Sequence, residues 1–258
     1  MGNASPCTAL PCSRAMTSGR AVRVHGRRSR HVRQPPSKSG TLGLAGLRVE
    51  STIKLRARAA QGDADAQFRI GYRRAFHRDP KQRDWPSAVR YWKAAAVQGH
   101  TRAQFYIGTC FDFGRGTRAS TRKAMRWYRL AAEGGHEGAA CNLAIGLRDG
   151  DGVRRDLKGA ARWFGRAAAA GDPEAQADFA VCLYEGRGVR RDRTEAARLY
   201  RRAARAGVLR AQFNLALCYL EGDGVRRSKR NALNWLAKAV ARRHRRAREL
   251  LAELAPSN

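Results

Sequence analysis

Apolar residues recur at spacings i, i+4, i+5 and i+8 along much of the chain, as in Ala175, Phe179, Ala180 and Leu183, then Ala211, Leu215, Ala216 and Tyr219. This is the period of a helix that buries one stripe against a neighbour. The stripes come at a fixed interval. Gly-x-x-x-Ala begins at Gly62, Gly99, Gly135, Gly171 and Gly207, in steps of 37, 36, 36 and 36 residues. In phase with it run Gly114-x-Gly116, Gly150-x-Gly152, Gly186-x-Gly188 and Gly222-x-Gly224, the last three each followed by Val. A third column is Asp84, Ser120, Asp156, Asp192 and Ser228, with Ala88, Ala124, Ala160, Ala196 and Ala232 four residues later. Three columns sharing one phase identify an internal repeat.

Each column has a mechanical meaning. Asp and Ser carry a side-chain oxygen that accepts from the free N–H groups of a helix's first turn, so the third column predicts five helix starts. Asp192 with Glu195 has capping-box spacing. The first-column Gly follows about fourteen residues of Ala-rich pattern, where a helix ends on a residue free to turn left-handed. A second helix opens just after it, as at Asp172-Pro173, and closes at Gly-x-Gly. The unit is helix A, tight turn, helix B. Trp127, Trp163, Leu199 and Trp235 form one helix B column, which predicts that large side chains fill the gaps between units.

One such unit cannot close a core alone, so the units must stack. The fold class expected is all-α, an α/α superhelical solenoid of about five 36-residue helix-turn-helix repeats with a half-repeat helix at each end. Repeats fall near 63–98, 99–134, 135–170, 171–206 and 207–241. A lone B-type helix precedes them from Val49 to Gln61, and an A-type helix follows at 244–254. The first repeat diverges most: Arg74 replaces the apolar residue seen as Phe111, Leu147, Leu183 and Tyr219, and its turn, His77 to Asp84, lacks Gly-x-Gly.

The run Ala211-Gln212-Phe213-Asn214-Leu215-Ala216-Leu217-Cys218-Tyr219-Leu220-Glu221-Gly222-Asp223-Gly224-Val225, followed by Ala232, Trp235 and Ala239, resembles the Sel1-like repeat, a relative of the tetratricopeptide repeat. The resemblance covers roughly residues 60–250. It departs from the family where Leu-Gly becomes Leu-Ala or Phe-Ala in later units, and in its basic content. It implies a superhelical adaptor that binds proteins or peptides on a concave helix A side and carries no conserved chemistry. Some members pair two Cys within each unit. Here Cys110, Cys182 and Cys218 share one column, one per unit, and adjacent helices lie ~10 Å apart, beyond the roughly 7 Å that a disulfide spans. Small core filler is the role expected of them.

Charge changes the picture. The chain of 258 residues carries 52 Lys plus Arg against 21 Asp plus Glu, a formal +31, and only eight of the cations are Lys. Nine Lys or Arg and no acid stand before Glu50, among Pro35-Pro36, Ser and Gly, a composition that cannot bury enough apolar surface to order itself. Residues 1–43 read as a disordered basic N-terminal tail and 44–258 as the solenoid. The Arg- and Ser-rich tail also has the composition of an organelle transit peptide, and a loose extension or a misassigned start upstream of Met16 fits equally. No apolar run approaches the ~20 residues of a membrane span. With six scattered Cys and no Cys-x-x-Cys, a reducing, cytoplasmic compartment is expected.

Nothing in the chain has the spacing of a catalytic or metal site. His100 and His136 directly follow the column Gly, a structural position; Walker loop, Ser elbow and His-x-x-x-His are all missing, and Gly-x-Gly-Val lacks the preceding strand of a dinucleotide loop. No enzyme activity, cofactor or metal is expected, and the chain is expected to be monomeric. Two surfaces remain as candidates. The helix A column Arg69, Tyr106, Asn142, Asp178 and Asn214 is the candidate groove for a protein or peptide partner, flanked by Gln67, Gln104, Gln176 and Gln212, which either contact the partner or stabilise their own inter-helix turn. Along the turns, Arg118, Arg154-Arg155, Arg190-Arg191 and Arg226-Arg227 form a basic edge that suits an acidic partner. The alternative is nucleic-acid or polyanion binding by the same edge.

Overall fold

The computed structural model describes residues 51–254; the expected tail at 1–43 lies outside them. The described chain is all-helical, with twelve α-helices, one 3-10 turn at Pro80–Gln82 and no strand. In chain order the helices are α1 (Thr52–Ala60), α2 (Ala64–Ala75), α3 (Trp85–Val97), α4 (Thr101–Phe113), α5 (Thr121–Glu133), α6 (Glu137–Asp149), α7 (Leu157–Ala169), α8 (Pro173–Glu185), α9 (Arg193–Arg205), α10 (Leu209–Glu221), α11 (Lys229–Ala241) and α12 (Arg245–Leu254). The class is the repeat solenoid expected: α2 to α11 are five helix A and helix B pairs, α1 is the leading half-repeat and α12 the trailing one.

The described residues fall into two compact units that part at a repeat boundary, 51–170 and 171–254. In the first, each of α1 to α6 packs on the next helix in the chain; in the second, each of α8 to α11 does so. The second unit buries one continuous cluster that includes Leu183, Leu199, Tyr200, Phe213, Leu215 and Leu236.

The third-column residues cap the five B helices. Asp84, Ser120, Asp156, Asp192 and Ser228 accept from the amides of Ser87, Lys123, Gly159, Glu195 and Asn231 at 2.9, 3.4, 2.9, 2.9 and 3.3 Å. At the other end, the first-column glycines hold φ between 87° and 96°. The residue after Gly62, Gly99, Gly135 and Gly207 reaches back to close the helix, as His136 N does to Ala131 O at 2.8 Å.

The Gly-x-Gly turn is closed twice. Its middle residue donates to helix A, as Asp223 N to Cys218 O at 3.0 Å, and the next helix cap donates to the same helix, as Ser228 N to Tyr219 O at 2.8 Å. The second glycine is also a docking point. At Gly152, with φ 73°, a Cβ would lie 2.7 Å from the backbone carbon of Thr121, the first residue of the preceding B helix. The turns at Gly116, Gly152 and Gly224 therefore rest on the repeat before them. The middle residue adds a staple of variable chemistry: Arg115 lies over the Trp85 ring at 5.2 Å, whereas Asp223 accepts from Arg193 at 2.6 Å and from the Tyr184 hydroxyl.

One core assignment needs correcting. Trp127, Trp163 and Trp235 are only half-buried; the fully enclosed column is the next residue along, Trp92, Tyr128, Phe164, Tyr200 and Leu236. That residue stands four positions after the invariant Ala and points straight onto helix A, while its neighbour emerges at the rim. Trp163 and Trp235 there lie under Arg166 and Lys238, at 4.6 and 4.3 Å from their ring centres.

The divergent first repeat is held by other means. Arg74 is exposed and pairs with Asp84 at 3.5 Å, and the 3-10 turn still delivers Asp84 N to Arg74 O at 3.0 Å. Phe68, Tyr72, Phe76 and Trp92 surround Tyr106 with ring centres 4.9 to 6.1 Å away.

Candidate functional site

The helix A column is built into the packing. Tyr106, Asn142, Asp178 and Asn214 are 4%, 1%, 9% and 3% exposed, and the Arg69 side chain is 15% exposed. Tyr106 belongs to the aromatic cluster of the first two repeats. Asn142 hydrogen-bonds the buried Tyr128 hydroxyl, which also donates to Asp112 at 3.3 Å; burial, first of all, raises that phenol far above its usual range. Asp178 is paired with Arg210 at 3.0 Å, and Arg210 also reaches Glu174 at 2.8 Å. Arg69 pairs with Asp65 at 3.8 Å.

The flanking glutamines take the structural option. The Nε2 groups of Gln67, Gln104 and Gln212 donate to the carbonyls of Ala59, Ala96 and Ala204, each at 3.2 Å. Each carbonyl lies in the last turn of the preceding B helix, so the amide ties two successive helices and is buried in doing so. Gln176 is buried in the same register.

His100, His136 and His244 are helix caps, a role that the place of the first two after the column Gly signalled only in part. Nδ1 of His100, His136 and His244 accepts from the amides of Ala103, Ala139 and Ala247 at 3.2, 3.2 and 3.1 Å. The rings stack on Phe68, Phe105 and Phe213, with centroids 4.8, 4.1 and 4.8 Å apart. An accepting Nδ1 requires the neutral ring. Burial holds all three below the ordinary imidazole value, His136 at about 4. Asp63 and Asp172 cap α2 and α8 at this register through a carboxylate, and Val208 at the start of α10 gives up the cap for burial.

The turn edge is the opposite of the helix A column. Arg118, Arg154, Arg155, Arg190, Arg191, Arg226 and Arg227 are all exposed, and none of them pairs with a carboxylate among the described residues. Arg155 alone has a fixed contact, Nε to the Arg148 carbonyl at 3.1 Å, at the end of α6. The turn carboxylate Asp223 is committed to Tyr184 and Arg193 and does not offset the edge. Among the described residues no group of His, Cys, Asp and Glu could hold a metal ion, and no helix is long and apolar enough to cross a membrane. Cys110, Cys141, Cys182 and Cys218 are buried thiols. Burial pushes Cys110 up to about 12, which suppresses the thiolate.

A family model described as the Sel1 repeat matches residues 64–100, 101–136, 138–172, 173–208 and 209–244. The chain belongs to the Sel1-repeat family. Solved structures similar to it include the following two. One is a protective antigen present in uropathogenic Escherichia coli strains displaying an SLR fold, at 30% identity and a TM-score of 0.73, covering 80% of this chain and 44% of that one. The other is a Sel1 repeat protein from Oxalobacter formigenes, at 34% identity and a TM-score of 0.66, covering 79% of this chain and 58% of that one. The chain thus spans about half the length of these two relatives. No curated protein matches it. Sel1 repeats typically mediate protein–protein interaction, and the family is generally non-catalytic.

Proposed function

We propose that this Sel1-repeat protein is a non-catalytic, monomeric scaffold that binds an acidic segment of a partner protein along its turn edge, in a reducing cytoplasmic compartment. One observation carries the reading: seven arginines at equivalent places in four successive repeats are exposed and lack carboxylate partners among the described residues. Arg is desolvated more readily than Lys and grips a carboxylate with two parallel N–H donors, so such an edge favours acidic side chains. The helix A column is the less suitable surface, because its polar groups are buried and engaged with neighbouring helices.

The test is affinity capture from the native cell with the tagged full chain, after nuclease treatment. Wild type and an edge variant, Arg190→Gln/Arg191→Gln/Arg226→Gln/Arg227→Gln, are compared with Asn142→Asp, which keeps the column's size. Loss of acidic protein partners in the edge variant alone supports the proposal. Partners retained by the edge variant, or a yield that consists of nucleic acid before nuclease treatment and vanishes afterwards, overturns it.

A further inference from the structure

The same cleft opens in two repeats of the chain, once in each unit. In the C-terminal unit an open cleft of about 640 Å³ is lined by Arg201, Tyr219, Val225, Arg226, Arg227, Ser228 and Asn231. In the N-terminal unit a cleft of about 550 Å³ is lined by Arg129, Leu147, Val153, Arg154, Arg155 and Asp156. Arg129, Leu147, Val153 and the arginine pair stand 72 residues, two repeats, before Arg201, Tyr219, Val225 and theirs. Each cleft therefore brings together one arginine from a B helix and two from the Gly-x-Gly turn of the next repeat.

The two clefts differ at the positions that decide which ion they accept. The N-terminal one carries Asp156, whose carboxylate caps α7 by accepting from Gly159 N at 2.9 Å and places a negative charge among the arginines. The C-terminal one has Ser228 there. Ser228 Oγ accepts the capping bond from Asn231 N at 3.3 Å and keeps its own proton to donate. Tyr219, in place of Leu147, accepts from Arg201 at 3.2 Å and likewise keeps a phenolic proton for a ligand. Three guanidinium groups and two hydroxyl donors thus line one cleft, and no carboxylate lines it.

We infer that the cleft formed by Arg201, Arg226, Arg227, Tyr219 and Ser228 is an oxyanion-binding pocket, and that it takes one acidic side chain of a bound peptide, a carboxylate or a phosphorylated hydroxyl. This rests on the reading of the turn edge as the surface for an acidic partner and assigns that surface a specific anchor. Guanidinium groups match either oxyanion bidentately, and donors around them fix its orientation. The Asp156 cleft is the built-in counterpart in which the same arginines are partly neutralised.

The test uses the full chain and three fluorescein-labelled peptides, hexa-Glu, hexa-Gln and a hexa-Gln bearing one central phosphoserine, followed by anisotropy at ~150 mM salt. Arg226→Gln/Arg227→Gln should weaken the best-bound acidic peptide about tenfold, and Arg154→Gln/Arg155→Gln no more than about twofold. Ser228→Asp, which preserves the helix cap because Asp caps as well as Ser, should weaken it about tenfold as well, with unchanged circular dichroism. Tighter binding of the phosphoserine peptide than of hexa-Glu identifies phosphate as the preferred oxyanion, and the reverse identifies carboxylate. Equal losses from the two double substitutions, or no loss from Ser228→Asp, overturn the pocket while leaving the basic edge as the binding surface. Binding of hexa-Glu and the phosphopeptide no tighter than hexa-Gln overturns the edge reading itself.

Discussion

The cap made by His136 works only while its ring is neutral, so acid should weaken the repeat it starts. Nδ1 accepts from Ala139 N, and protonation replaces that lone pair by a donor facing a donor. Burial, with Arg102 adding to it, holds the folded-state value at about 4, against about 6.5 in an unfolded chain. The neutral ring's contribution is present in full above pH ~6.5 and declines as pH falls toward the folded value of about 4. At pH 5 the unfolded chain holds nearly a whole proton at this residue and the folded chain about a tenth of one, which costs about 2 kcal/mol of stability relative to pH 7.5. His136→Asn retains a capping oxygen and removes the titration. Urea unfolding followed by far-ultraviolet circular dichroism at pH 7.5 and 5.0 should show the variant losing about 2 kcal/mol less than wild type over that interval. The lost stacking on Phe105 lowers the variant equally at both pH values and cancels in the comparison. Equal losses in the two proteins would refute the neutral cap.

Three further substitutions probe the repeat mechanics by the same unfolding measurement. Gly152→Ala should cost about 2 to 4 kcal/mol, since its left-handed φ penalises a Cβ that would also strike the backbone at Thr121. Trp92→Ala, at a fully enclosed ring whose Nε1 donates to Phe68 O at 3.2 Å, should cost about 3 to 5 kcal/mol, whereas Trp235→Ala at the rim should cost clearly less. Gln104→Ala removes the tie to the Ala96 carbonyl and should cost about 1 to 2 kcal/mol with no change in acidic-peptide affinity, as a strut and not a contact residue.

The repeat, its caps and its turns are written in local chemistry, which is why Asp84, Ser120, Asp156, Asp192 and Ser228 were readable as helix starts without a structure. What lies in adjacent columns of one helix face is harder to read. Trp127 and Tyr128, or Trp163 and Phe164, are both large and apolar, and only the crossing of helix B over helix A decides which one is enclosed. The helix A column is hard to read from sequence for a related reason. A recurring Asn, Asp or Tyr on helix A reads the same whether it meets a partner or a neighbouring helix, and Tyr128 and Arg210, which engage Asn142 and Asp178, lie 14 residues before and 32 residues after them in the chain. The arginine pairs were legible because a turn after Gly-x-Gly-Val has solvent on its outer side wherever the repeats stack. Their difference in surroundings, Ser228 against Asp156, was visible as residues but gained meaning only once each was seen to line a cleft.

The central claim is that an acidic protein segment lies along the turn edge and not on helix A. Hydrogen exchange of the full chain, with and without saturating hexa-Glu peptide, locates the contact directly. The account predicts added protection confined to the turns and B-helix starts, residues 114–122, 150–158, 186–194 and 222–231. Protection confined to the A helices, α2, α4, α6, α8 and α10, would contradict it.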